Sequence, residues 1–69
     1  MKISARNIIP GTVVEIKKGA TTSHVRLDIG GGNIITSSIT NEAVDDLKLV
    51  VGRKASAVIK SSEVMIGVD

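Results

Sequence analysis

"SHVRLDIGGG", residues 23–32, followed at once by "NIITSSIT", residues 33–40, carries the clearest structural signal in the chain. Val25, Leu27 and Ile29 alternate with His24, Arg26 and Asp28. Successive strand side chains point to opposite faces, so this spelling predicts a half-buried strand. The run Gly30–Gly32 predicts a turn whose backbone is free to take positive φ. The chain then returns as a second strand over 33–40, which makes a hairpin.

The pattern extends in both directions. Before the hairpin, "GTVVEIKKG" (11–19) is rich in β-branched residues and closes on Gly19. Simple alternation there puts Val14 and Ile16 on one face and Val13, Glu15 and Lys17 on the other. After the hairpin, "TNEAVDDLKL" (40–49) changes character. Thr40 or Asn41 can cap a helix, early acidic residues suit its positive end, and Ala43, Val44 and Leu47 supply an apolar stripe. A helix of about two turns is expected, ending before Gly52. "KASAVIK" (54–60) alternates again, and "EVMIGV" (63–68) reads as a last apolar strand. Three strands, a short helix and two more strands predict a mostly-β fold, an OB-type five-stranded Greek-key barrel with one short helix between strands 3 and 4. A different small barrel, such as an SH3-like one, is the alternative. The chain predicts one domain over residues 1–69.

Bulk composition supports this. Nine Val and ten Ile, with no Phe, Trp or Tyr, require an aliphatic core and favour strands. A chain of 69 residues without Cys has no disulfide or thiolate metal site to staple it. Val13, Val58 and Ile8 or Ile9 make strands apolar on both faces, where a lone barrel keeps one face wet. Self-association is therefore expected. Apolar runs reach only three residues, against the ~20 a membrane helix needs. No signal-peptide pattern is visible. A cytoplasmic protein that does not engage a membrane is expected.

The same inventory excludes most chemistry. His24 is the single His and sits on the polar side of a strand, where a solvated side chain is the ordinary outcome. Nucleophile, base and orienting group need several converging side chains, and the adjacent Asp45 and Asp46 diverge on a helix. No metal-ligand spacing is present. The chain is not expected to be an enzyme. An OB-type nucleic-acid module is the serious alternative, with Lys17, Lys18, Arg26, Arg53 and Lys54 as phosphate contacts. The absence of every aromatic removes its usual stacking term, and a net charge of +2 is too weak to imply nucleic acid on its own.

What remains is "SAR" (4–6) near one end and "KSS" (60–62) near the other. Ser4 and Arg6 share a face of an extended segment. If the first and last strands meet, Arg6 and Lys60 converge with serine hydroxyls between them. Cations, hydroxyls and free N–H groups are what a small tetrahedral oxyanion requires. Thr40, at the helix start, can add a further donor. A site made only of donors favours an anion with no proton left to place. Molybdate, tungstate and sulfate meet that condition better than phosphate, and sulfate is the smaller fit. Polar strand ends without a ligand would show the same residues.

Taken together, "SARN" (4–7), "PGTVVEIKKGA" (10–20), "ITNEAVDDLKLVVG" (39–52) and "ASAVIKSSEVMIG" (55–67) resemble the molbindins, small molybdate-binding proteins made of a single Mop domain. The resemblance runs end to end. It implies a homo-hexamer arranged as a trimer of dimers, with oxyanion sites at subunit interfaces and no organic cofactor or directly ligated cation. Carried over by position, it implies Ser4, the Ala5 backbone, Arg6, Asn7, Thr40, Lys60 and Ser61 as binding groups. Gly19 and Ala20 are implied as backbone N–H donors of a second kind of site. Ala43 stands where some relatives carry Ser, and Asp46 where relatives can carry Arg. No DNA-binding or nucleotide-binding segment accompanies the domain, so the resemblance implies storage, buffering and delivery of molybdate or tungstate for molybdenum cofactor assembly.

Overall fold

The computed structural model describes residues 1–69. Four antiparallel strands form one curled sheet: β1 (Asn7–Lys18), β2 (Thr22–Gly30), β3 (Asn33–Thr40) and β4 (Lys54–Ile59), in the order β3-β2-β1-β4. A single helix, α1 (Asn41–Asp46), lies between β3 and β4. No helix is long and apolar enough to cross a membrane.

The β2–β3 hairpin forms as its spelling requires. Val25 and Leu27 are buried, while His24, Arg26 and Asp28 are exposed. Gly30, Gly31 and Gly32 take φ of 92°, 62° and 77°, a left-handed run that only glycine makes without strain. The Asp28 carboxylate accepts from the Gly30 N–H at 2.8 Å and closes the turn.

β1 is longer than its spelling suggests and is not regular. Its first half pairs with β4 and its second half with β2. Residues 7–11 have a paired neighbour on β4 alone, the edge-like setting in which a strand accommodates Pro10. Val13 pairs with Leu27, but the next rung joins Glu15 to Arg26, so Val14 is an extra residue in the strand. This bulge reverses the alternation. Val13 is fully buried and Ile16 packs on the same core, whereas Val14 is 42% exposed. Unbroken alternation would put Val13 and Ile16 on opposite faces; the bulge brings both to the core face.

The core comprises Val13, Val25, Leu27 and Val44, flanked by Ile16, Ile29, Ile39, Leu49, Ala55 and Ala57. In α1 the Thr40 Oγ1 caps the helix by accepting from the Ala43 N–H at 3.1 Å. The helix is one and a half turns, and Val44 alone is buried from it; Leu47, expected in the stripe, is 58% exposed.

The strand count also differs. Residues 63–68 do not form a fifth strand. A strand needs a neighbour for its backbone groups, and no segment of the same chain runs beside this one. A short 3-10 turn (Ser61–Glu63) leads into it, and Met65, Ile66 and Val68 are 91%, 88% and 95% exposed. With β3 and β4 unpaired at the two edges of the sheet, an apolar trough lined by Val25, Leu27, Ile35, Ile39, Ala57 and Ile59 lies open between them.

Candidate functional site

The last rung of the β1–β4 pair joins Asn7 to Ile59. Arg6 and Lys60 are therefore the next residues out on two adjacent strands. This places side by side two cations that are far apart in the chain. The groove at this end is lined by Ile3, Ser4, Ala5, Arg6, Val58, Lys60, Ser61 and Ser62. The "SAR" and "KSS" segments thus meet within one chain.

Local structure explains the presentation. Ser4 lies in a bend and Ala5 is half-buried, which anchors the segment while Arg6 stays exposed. On the other strand the Glu63 N–H donates to the Lys60 carbonyl at 2.9 Å, and the Val64 N–H to the Ser61 carbonyl at 3.3 Å. These bonds wind Ser61 and Ser62 into a tight turn at the groove.

The electrostatics are one-sided. The ion pairs of the chain are Lys18–Asp45 at 3.4 Å and Arg26–Glu15 at 3.7 Å. Neither Arg6 nor Lys60 is neutralised by a carboxylate, and no carboxylate lines the groove. Two cations and three hydroxyls around apolar walls can hold a small anion by charge-assisted hydrogen bonds. Ile3 and Val58 were not expected from the sequence; apolar walls carry no signature distinguishing them from other strand residues. A second, more polar groove near Pro10, Thr12, Lys54 and Ser56 includes Asp28, and Lys54 there donates to Thr12 Oγ1 at 3.1 Å. Its carboxylate opposes an anion.

The remaining expected residues are elsewhere. Asn7 lies next to the groove without lining it. Thr40, Gly19 and Ala20 cluster at the far end of β1, where Thr40 pairs with Thr22. The Gly19 N–H is committed to the Thr22 carbonyl at 2.7 Å, so within this chain it is not the free donor expected of it. The Ala20 N–H enters no hydrogen bond of the fold. Asn41 organises this end. Its Nδ2 donates to the carbonyls of Gly19 (3.1 Å) and Ala20 (3.4 Å), and its N–H to that of Thr21 (2.9 Å). Its Oδ1 accepts from the Ser23 hydroxyl at 2.5 Å. One chain therefore divides the expected donors between its two ends.

Comparison with known proteins gives a consistent result. A family model described as the TOBE domain matches residues 3–66. The "Probable molybdenum-pterin-binding protein" of Haemophilus influenzae is 49% identical over 69 residues, covering 100% of both chains. The solved structure of MopII from Clostridium pasteurianum, in an apo form, superposes with a TM-score of 0.91 at 48% identity, over 97% of this chain and 100% of that one. The molybdate-bound structure of ModG, described as a cytoplasmic molybdate-binding protein, gives a TM-score of 0.94 at 51% identity; the match covers 100% of this chain and 49% of that one.

Proposed function

This chain belongs to the TOBE-domain family, and from that premise we propose that it binds molybdate or tungstate, without catalysing a reaction, and stores and buffers the anion in the cytoplasm for molybdenum cofactor assembly. The observation that carries this reading is the groove between "SAR" and "KSS". Arg6 and Lys60 face it without a carboxylate partner, with Ser4, Ser61 and Ser62 beside them. Arg6 and Lys60 supply charge, the serine hydroxyls donate, and the Ala5 backbone flanks the anion. A donor-only lining suits a fully deprotonated tetrahedral dianion. The names of the relatives, which refer to molybdenum-pterin and to molybdate, support the same ligand.

The binding unit in this reading is a homo-oligomer, a hexamer built as a trimer of dimers. Only five of 69 residues are buried in the single chain, a small core for a domain without disulfides. Ile8 and Val58, paired on the outer face, are each 41% exposed, and Met65, Ile66 and Val68 are almost fully so. Burial against other copies removes this surface from water. It also allows Thr40 of one copy to reach the Arg6–Lys60 groove of another, which a single chain cannot do, and leaves Ala20 to a second kind of site between copies.

Native mass spectrometry with molybdate, and with sulfate as control, tests both parts. A hexamer that gains discrete molybdate masses and ignores sulfate is expected. A monomer indifferent to every oxyanion would overturn the proposal.

A further inference from the structure

We infer that Asn7 is a positioning residue: its side chain ties the two strand ends that carry Arg6 and Lys60, and so sets the spacing of the two cations before any anion arrives. This role presupposes the oxyanion reading of the groove. It differs from that of a ligand, and the geometry separates the two.

Successive residues of a strand project to opposite faces. Arg6, Ile8, Val58 and Lys60 are exposed, and Arg6, Val58 and Lys60 line the groove. Asn7 and Ile59 are half-buried, stand opposite one another in register and are absent from the groove lining. The Asn7 side chain thus stands on the half-buried side of its rung, outside the groove lining. There its Nδ2 donates to the Ile59 carbonyl at 3.2 Å.

The tie falls where it is needed. Strand ends fray more readily than strand centres, and Asn7–Ile59 is the terminal rung. Immediately beyond it stand two like charges, and like charges on neighbouring strands repel. Neither has a carboxylate of the chain to offset that repulsion. A side-chain hydrogen bond across the rung resists the splaying that the two cations favour. An Ala at position 7 removes the tie. An Asp keeps the shape but turns an acceptor towards the Ile59 carbonyl, which pushes the strands apart.

The test is titration calorimetry of molybdate into the full chain and its Asn7→Ala, Asn7→Asp and Arg6→Ala variants, well below each unfolding temperature. Asn7→Ala should weaken binding by about tenfold or more, the usual scale for removing a group that orients ligands from behind; Asn7→Asp should weaken it further. In parallel, the Asn7 side-chain amide of the wild type is followed by nitrogen-15 NMR. Its signals should be protected from exchange before molybdate is added and should move little on binding. Asn7→Ala binding as tightly as wild type overturns the inference, as does an amide that shifts like a direct contact. If Asn7→Ala does not fold, the wild-type NMR experiment decides alone. A wild type that takes up no molybdate overturns the reading of the groove and this inference with it. A wild type that binds, and loses binding through Arg6→Ala but not through Asn7→Ala, overturns this inference alone.

Discussion

Ser23, the one buried polar residue of the chain, donates its hydroxyl to Asn41 Oδ1 at 2.5 Å, and Asn41 passes that contact on to the β1–β2 turn through the Gly19 and Ala20 carbonyls. The orientation of the amide follows from its surroundings. Two carbonyls require the Nδ2 end, which leaves the Oδ1 end for the hydroxyl. Asn41→Ala would strand a fully buried hydroxyl and release the turn. An unsatisfied buried group costs about 1–3 kcal/mol. In a domain this size each kcal/mol lowers the unfolding midpoint by roughly 4–8 °C. Ser23→Ala should cost less, because half-buried Asn41 can turn to water. Thermal unfolding followed by circular dichroism checks the ranking, and equal losses would contradict it.

The bulge at Val14 makes a second prediction about neighbouring residues. Val13→Ala empties a fully buried site and should cost about 2–3 kcal/mol once the cavity is included. Val14→Ala alters a 42%-exposed side chain and should stay within about 0.5 kcal/mol. Urea unfolding of the two variants separates them. The opposite ranking is what unbroken alternation would produce.

Arg6 and Lys17 carry the same charge in different settings. Arg6 lines the groove, whereas Lys17 stands on the exposed face of β1 opposite His24. A hydrogen bond to a charged group is worth about 1.5–3 kcal/mol, so Arg6→Ala should weaken molybdate binding by roughly tenfold to a hundredfold. Lys17→Ala should leave it near the wild-type value. Calorimetry showing equal losses would remove Arg6 from the site.

The proposed homo-oligomer makes a prediction about the exposed apolar residues Ile66 and Val68. Ile66→Lys with Val68→Lys should shift sedimentation equilibrium towards smaller species, while Val50→Lys should have less effect. An unchanged distribution would show that residues 64–68 take no part in the interface.

These experiments follow the divide between what was legible in the chain and what was not. The hairpin over 23–40 was legible because residues 24–29 alternate in character and three glycines separate that strand from the β-branched run that follows. The alternation of Ala55, Ala57 and Ile59 was legible for the same local reason, and a cap at Thr40 or Asn41 from residue type, the structure selecting Thr40. The donor chemistry of "SAR" and "KSS" was legible from residue type and from the lack of any aromatic, Cys or second His. The bulge was not. Val13 and Val14 are chemically identical, and only pairing with Leu27 and Arg26 determines which is the extra residue. The fifth strand was misread because "EVMIGV" has strand composition, yet composition supplies no partner for its backbone.

By itself, the sequence determined the aliphatic, mostly-β character of this protein, the place of its helix and the groups available to meet an anion. Those properties depend on side-chain type and short-range spacing. Tertiary structure alone decided which valine enters the core, that Arg6 and Lys60 emerge together beyond the Asn7–Ile59 rung, and that Thr40 and Ala20 lie at the opposite end of β1. Those depend on strand register, which is set by long-range pairing and curl that no local stretch of the chain encodes.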